Sequence, residues 1–462
     1  MTTSIASQNP YFQLNGAAVT LDGAEPTESL LRWLNRQNLS GTKEGCGDGD
    51  CGACTVVLIE RDVEGRAQFQ AINSCLLPIG ALPGREVISV EALAQGDQLH
   101  PVQSALVECA GSQCGYCTPG FVMSLFAGYY NGELNDETTE GNLCRCTGYR
   151  PIREATQQLA HQPSARDRFH DRSATPAAPL ASAQVGRFFS PTSVVEALQL
   201  KRAHSDAMWI AGATDVGVNL SHGEAVASAF IALDRIAELK AIEIGDDAIR
   251  IGAGTSLTEI EHSLSGLVPV LDQILPWFAA RQVRNRATLG GNLGSASPIG
   301  DLLPVLLALD GVIHCTGSAG SRSINAEDYF IDYRKTARRD DELIVAVTLP
   351  RPHGLMCAAY KVAKRQTDDI SIVAAVFALR LDAEGCVQHA RLAYGGVAAV
   401  PLRARKTEAL LLGRKLDDDT LAAASAQLES EFTPLSDHRG SADYRRKLCA
   451  NLFAKFVAEH AR

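Results

Sequence analysis

Residues 45–54 read GCGDGDCGAC: three cysteines, four glycines and two aspartates in ten positions. Cys46, Cys51 and Cys54 have the spacing C-x4-C-x2-C, and Cys75 in INSCLL supplies a fourth thiol further along. This is the plant-type ligand spacing of a [2Fe–2S] cluster. A loop that closes on such a group must bring its backbone amides to the sulfurs. Gly45, Gly47, Gly49 and Gly52 clear side chains from that approach and permit positive φ, and Ala53 is small for the same reason. Two ferric ions, two sulfides and four thiolates carry net negative charge, which amide dipoles offset. Zinc is the rival occupant, but structural zinc sites usually draw two ligands from each of two short knuckles, not three from one loop.

The flanks suit a small β-rich domain. YFQLNGAAVTLDG (11–23) alternates like a hairpin, SLLRWLNRQ (29–37) has helical spacing and CTVVLIE (54–60) reads as a strand. These residues resemble a plant-type ferredoxin.

The whole chain has 462 residues, too many for one core, and divides into about three domains at the usual ~100–200 residues each. Its 46% hydrophobic and 21% charged residues are ordinary for globular proteins. A net charge of -10 argues against sequence-independent binding to nucleic acid, which needs lysine and arginine on phosphates. The start, MTTSIASQNPYFQLNG, has neither a basic n-region nor an apolar h-region, so no secretory signal is expected. No apolar run reaches ~18 residues, so no membrane span is expected. Of 13 cysteines, nine lie between Cys46 and Cys146. Clustered thiols in a long chain without an export signal point to metal in a reducing cytoplasm, not to a disulfide framework.

A second set of thiols follows: Cys114 and Cys117 in CGYC, then Cys144 and Cys146 in LCRC. On spacing alone, two tight pairs suit zinc as well as iron. The surroundings are helical. HPVQSALVECAG carries Val102, Ala105, Leu106 and Cys109 on one face with Pro101 in the first turn, TPGFVMSLFAGYY starts a helix at Pro119, and RPIREATQQLA starts one near Pro151. Each cysteine pair thus precedes a helix start, whose amides favour an anionic group. Cys109, on an apolar helical face, reads as a buried structural thiol rather than a ligand.

Residues 161–184, rich in Ala, Ser, Pro and charge, read as a linker. A new domain starts near 186, with a helix expected after Ser190-Pro191. MWIAGATDVGVNL (208–220) runs from an apolar strand into a turn, but neither it nor IGAGTSL is a dinucleotide-binding G-x-G-x-x-G. TLGGNLGSASPIGDLLPVLLAL (288–309) sets small residues and hydroxyls before an apolar helix, a loop able to lay amides and hydroxyls along a pyrophosphate without lysine. After about residue 346 alternating strands turn at Asp382 to Gly385, and amphipathic helices follow.

A glycine-rich C-x4-C-x2-C…C domain followed by a helical C-x2-C…C-x-C domain, with SQCGYCTPG at 112–120 and GNLCRCTGYRPI at 141–152, resembles the iron–sulfur portion of the xanthine dehydrogenase family of molybdenum hydroxylases. The later glycine-rich stretches resemble that family's FAD-binding domain. The resemblance implies an α+β multidomain chain: a β-grasp ferredoxin-like domain at 1–90, a helical [2Fe-2S] domain at 91–160, a linker at 161–185, an α+β FAD-binding domain at 186–345 and a small α/β C-terminal domain at 346–462. It implies two [2Fe–2S] clusters, held by Cys46, Cys51, Cys54 and Cys75 and by Cys114, Cys117, Cys144 and Cys146, with Gln113 beside a molybdopterin; a surface glutamine is the alternative for Gln113. Ala211, Gly212, Ala213, Thr214, Asp215 and Val216 would cradle the FAD diphosphate, with Phe278 and Ala279 beside the cofactor. Thr288, Gly291, Asn292, Ser297 and Asp301 would contact its ribityl, ribose or phosphate region, Ile344 would pack near the flavin or adenine, and Lys361 would lie close by. For Phe278 and Ile344, plain core packing explains the residue equally well. Asp368 and Asp369 would approach the flavin ring where the terminal acceptor docks; a solvated acidic loop is the alternative.

By the same resemblance the chain is the small subunit of a split enzyme. A large partner subunit would carry the molybdopterin and convert xanthine or hypoxanthine to urate in an α2β2 assembly, with electrons passing through the clusters to FAD and then NAD+. No residue of this chain is then expected to act on the purine. Three other readings stand beside it: the equivalent portion of a carbon monoxide, nicotinate or aldehyde oxidising enzyme, a non-catalytic iron–sulfur redox sensor, and a self-contained ferredoxin–flavin reductase.

Overall fold

The computed structural model describes residues 10–62, 64–162, 165–365 and 367–461. Two compact units emerge. The first runs through Ala237 and takes back Ala280–Ala287; the second comprises Glu238–Ala279 and the chain from Thr288 onward.

The first unit is organised by one five-stranded sheet. The hairpin Tyr11–Leu14 and Ala17–Thr20 turns through Asn15 and Gly16, both at positive φ. Tyr11–Leu14 then pairs in parallel with Glu86–Ile88, which pairs with Thr55–Arg61, which in turn pairs with Ala67–Asn73 at the edge. The helix Leu30–Arg36 starts at Ser29, whose hydroxyl accepts from the Arg32 amide. Strand alternation then decides what packs where. Val57 and Ile59 face a core shared with Val102, Phe121 and Phe126 of the helical region, whereas Val56 and Leu58 face Phe12, Leu30 and Leu34. Each such buried side chain contributes roughly 1.5–3 kcal/mol. The ferredoxin-like sheet and the helices after it therefore share one core.

Those helices are Pro101–Glu108, Thr118–Asn131 and Arg150–Ala160. Pro101 occupies the first turn of the first, and His100 forms a capping box with Gln103. The segment read as a linker holds a further helix, Arg168–Ser173. Asp167 caps it, and Phe169 meets Phe126 edge-on with centroids 4.8 Å apart. Six residues are too few to display periodicity, so one aromatic anchor escapes a pattern search. A small sheet, Ala183–Val185, Phe188–Ser190, Phe230–Ala232 and Met208–Ile210, completes the unit. The helix expected after Ser190-Pro191 begins at Val194 and is capped by Ser193, because Ser190 belongs to the strand.

In the second unit, a five-stranded antiparallel sheet contains Ala248–Gly252, Leu343–Pro350 and Val312–Gly317 at its centre. A four-stranded antiparallel sheet follows, with Val373–Leu381 and Val387–Gly395 joined through a turn that uses Gly385 at φ 82°. The helices Arg405–Leu411, Asp418–Glu431 and Ala442–His460 come after this sheet.

Candidate functional site

The first set of cysteines sits on the loop that feeds the strand Thr55–Arg61. Cys54 and Cys75 are 2% and 1% exposed, with their sulfurs 3.4 Å apart. Cys46 and Cys51 form the other pair: the Cys51 thiol donates to Cys46 and brings the Cys46 pKa down to about 5. The amides of Asp48 and Cys51 also reach the Cys46 sulfur, at 3.4 and 3.3 Å. Glycine is required on this loop: a Cβ on Gly45 would lie 2.5 Å from the Cys51 sulfur, and Gly52, at φ 64°, has the Gly141 carbonyl 2.1 Å from where its Cβ would stand.

The second set is arranged differently. Cys117 is the residue before the helix Thr118–Asn131, and burial pushes its thiol up to about 12. It pairs with Cys144, whose sulfur accepts from the Thr147 amide at 3.4 Å and lies 3.1 Å from the Thr147 hydroxyl. Cys114 pairs with Cys146, and both are exposed, as is Gln113. Both sets are therefore joined two by two. Among the described residues no three His, Cys, Asp or Glu side chains converge to hold a single ion. Pairs of thiols suit a binuclear group, in which each iron takes two, better than a tetrahedral zinc, which needs four around one point. Cys109 is half-buried at the end of its helix, not fully buried as expected, because its thiol turns to the Gln158 side chain at 3.3 Å.

The loops of the two sets are in direct contact. The Leu143 amide donates to the Cys51 carbonyl at 3.0 Å, and Tyr116 donates to the Glu44 carbonyl. Gly120 lets its helix approach to where a Cβ would be 2.2 Å from the Gly52 carbonyl.

The residues expected at a flavin fall in both units. In the first, Ala211 to Val216 form a turn after Met208–Ile210, with Ala213 at φ 67°. A Cβ on Gly212 would collide with the Arg286 carbonyl. Gly212 and Thr214 border a cleft with Asn73, Leu76 and Leu77, next to Cys75 in sequence. In the second unit, buried Lys361 donates to Asp301 at 2.8 Å and to the Trp277 carbonyl at 2.7 Å, and Ser371 donates to the other Asp301 oxygen. Lys361, Asp301 and the stretch before Phe278 and Ala279 are thus brought together. Thr288 caps the helix Leu289–Ser295, accepting from the Gly291 amide at 2.9 Å. Asn292 Oδ1 is shielded from solvent without a protein partner, which fits a residue that receives a ligand hydroxyl. Ser297 is half-buried. Ile344 is buried in the strand Leu343–Pro350, opposite Cys315. Asp368 is buried at φ 48°, and Asp369 accepts from the Arg365 amide at 2.8 Å. Gln366 of the same loop lies outside the described residues.

Residues 12–79 match a 2Fe-2S iron-sulfur cluster binding domain, 89–157 a [2Fe-2S] binding domain, 182–352 the FAD binding domain in molybdopterin dehydrogenase and 358–460 the CO dehydrogenase flavoprotein C-terminal domain. The xanthine dehydrogenase of Emericella nidulans is 32% identical over 96% of this chain. The chain belongs to the molybdenum hydroxylase family. It spans 38% of that relative and 39% of xanthine dehydrogenase 1 from Arabidopsis thaliana, also 32% identical over 96% of this chain. Among solved structures, reconstituted CO dehydrogenase from Oligotropha carboxidovorans superposes with a TM-score of 0.56 at 26% identity, covering 61% of this chain and 99% of its own. Quinoline 2-oxidoreductase from Pseudomonas putida 86 also gives 0.56 at 26%, covering 61% and 98%. The four domains are the iron–sulfur and flavin electron-transfer portion of a molybdenum hydroxylase. Among the described residues no helix is long and apolar enough to cross a membrane.

Sequence reasoning missed one part of this hydroxylase portion. Residues 280–287, ARQVRNRA, lie between two stretches assigned to the flavin but belong to the first unit. Arg281 pairs with Glu137 at 3.2 Å, Arg284 with Glu140 at 2.5 Å, Asn285 donates to the Ala71 carbonyl at 2.8 Å and Arg286 pairs with Asp234 at 2.8 Å. Its signal was available: three arginines in six residues, one of them fully buried, need acids from elsewhere in the chain.

Proposed function

We propose that this chain is the electron-transfer and NAD+-reducing part of a xanthine dehydrogenase, working in the cytoplasm with a molybdopterin-bearing partner subunit in an α2β2 assembly. The observation that carries the reading is the arrangement of domains. Both xanthine dehydrogenases match 96% of the chain, iron–sulfur and flavin domains together, whereas the CO dehydrogenase and quinoline oxidoreductase chains are almost wholly used in matching 61%.

Iron–sulfur clusters carry electrons singly, and a flavin takes them singly and returns them as a pair, which reduction of NAD+ requires. The chain's part is to hold and insulate. Cys46, Cys51, Cys54 and Cys75 hold the sealed group, Cys114, Cys117, Cys144 and Cys146 the open one, and loop amides offset the negative charge on sulfur. In this reading FAD is contacted by Ala211 to Val216 in the first unit and, in the second, by Phe278, Ala279, Thr288, Gly291, Asn292, Ser297, Asp301, Ile344 and Lys361. The Lys361–Asp301 pair keeps a buried charge neutralised there.

The test is anaerobic. The chain, purified with what it binds, is reduced with dithionite, freed of excess and mixed with NAD+. Rapid flavin reoxidation with stoichiometric NADH is expected. Flavin that stays reduced until oxygen or a quinone-like dye is added would move the chain to the oxidase or carbon monoxide dehydrogenase side of the family.

A further inference from the structure

A buried polar network lies between the two sets of cysteines. Asn142, two residues before Cys144, is its centre. Its Oδ1 accepts from the Ser124 hydroxyl at 2.7 Å and from Gln282 Nε2 at 3.2 Å. Its Nδ2 donates to the Gly52 carbonyl at 3.0 Å and to Thr55 Oγ1 at 3.3 Å. Gln282 Nε2 donates also to Ser124 Oγ at 3.1 Å, and Thr55 returns its own proton to the Gly52 carbonyl at 2.6 Å. Every donor meets an acceptor, so the orientation of the Asn142 amide is determined. Thr55, Ser124, Asn142 and Gln282 are each no more than 2% exposed.

Four parts of the first unit meet here: the glycine loop through Gly52, the strand after it through Thr55, the helix Thr118–Asn131 through Ser124, and the strap 280–287 through Gln282. The network flanks the contact in which the Leu143 amide meets the Cys51 carbonyl. That contact joins the residue before one thiol to another thiol's own backbone.

Gln282 is the member whose presence needs a reason. Its Oε1 is buried without a partner and faces Gly141, where a Cβ would stand 2.1 Å from it. A buried orphan oxygen is unfavourable, and leucine, of similar volume, would fill the space without one. The amide is explained by its two donated hydrogen bonds, which orient Asn142 and Ser124. We propose that Gln282 is a positioning residue for electron transfer between the two cysteine sites: through Asn142 it fixes the backbone bearing Cys144 against the backbone bearing Cys51. This rests on the reading of the eight cysteines as two [2Fe–2S] sites.

The test uses the full chain carrying iron and FAD, with Gln282→Leu and Ser124→Ala. Ser124→Ala deletes one oxygen, seven residues beyond Cys117, the nearest cysteine assigned as a ligand. In the fully reduced wild type, two neighbouring paramagnetic clusters split each other's electron paramagnetic resonance signals, and the splitting reports their separation and relative orientation. Both variants are expected to keep their iron, sulfide and FAD while this splitting changes. Electron exchange between the sites should slow, because electron tunnelling falls exponentially with the separation of the two carriers. Wild-type splitting and exchange in a fully loaded Gln282→Leu would overturn the proposal. If that variant failed to load iron, the same result in Ser124→Ala would overturn it. A wild-type chain that held zinc, or only one cluster, would instead refute the reading of the cysteines beneath it.

Discussion

The two sets of four thiols solve one chemical problem in opposite ways. Around Cys46, Cys51, Cys54 and Cys75 a glycine loop folds its own amides onto sulfur, and one of the two pairs is sealed from solvent. Around Cys114, Cys117, Cys144 and Cys146 the thiols sit where chain segments meet helices, with Cys114 and Cys146 open at the surface. The sealed arrangement buys insulation at the cost of sequence freedom, because each wrapped amide excludes a side chain. The open one tolerates Tyr116 and Arg145 between its paired ligands and leaves two sulfurs within reach of whatever approaches.

The contrast is most severely tested at single ligands. Cys54→Ser should abolish iron binding at the sealed site and lower the melting temperature. Cys114→Ser should empty only the open site and leave the melting temperature nearly unchanged. Iron and sulfide assays with calorimetry read both, and equal losses of stability would break the distinction. The next effect concerns glycine. Gly52→Ala combines overpacking against the Gly141 carbonyl with strain at φ 64°, together about 2–6 kcal/mol. Gly115→Ala, also at positive φ but with nothing nearer than 4.0 Å, should cost about 1 kcal/mol in denaturant titrations.

Acid should separate the regions again. Burial lowers the His100 pKa from 6.5 to about 4. Its Nδ1 accepts from the Val102 amide, so the proton is on Nε2, which faces the Tyr130 hydroxyl, and Tyr130 donates to Asp167. The unfolded chain takes up this proton first as pH falls. The helical region therefore loses about 3 kcal/mol between pH 6.5 and 4 and nothing more from this group below that. Beside the ferredoxin-like sheet, Asp234 is held far below the usual carboxylate range: burial opposes ionisation, but Arg85, Arg286 and Arg235 outweigh it. Its contribution is complete above pH ~4 and is lost only as pH falls below that value. Hydrogen exchange across this range should show the helices opening first, and His100→Asn, which keeps a capping oxygen, should remove the difference. The smallest effect is expected from Tyr149→Phe. It removes the hydroxyl that accepts from the Cys144 amide at 3.0 Å, for about 1 kcal/mol and a shifted spectrum at the open site alone.

What was legible in the sequence was what repeats at short range. The spacing of Cys46, Cys51 and Cys54 with its glycines, Pro101 at a helix start, and the Asn15-Gly16 turn each carry their meaning within a few residues. The shared core was less legible, because Val57 and Phe126 are both merely apolar until a strand face and a helix face are seen to meet. Phe169 was hidden in a polar stretch. Gln282 was hidden for a different reason: its partners, Ser124 and Asn142, are more than 130 positions away, and nothing around it repeats. Among the residues proposed at the flavin, Asp301 and Lys361 were singled out only through a family motif, and their ion pair is a fact of tertiary packing.

The return of residues 280–287 to the first unit also sets a timetable for synthesis. A ribosome finishes Cys146 well before it reaches Ala287, and at ~5–20 residues per second the interval is roughly 7–28 s. Throughout that interval the nascent iron–sulfur half lacks its strap, so Glu140, Asn142 and Ser124 wait without Arg284 and Gln282. During it the cysteine loops of the first unit are held by fewer hydrogen bonds than the finished protein gives them.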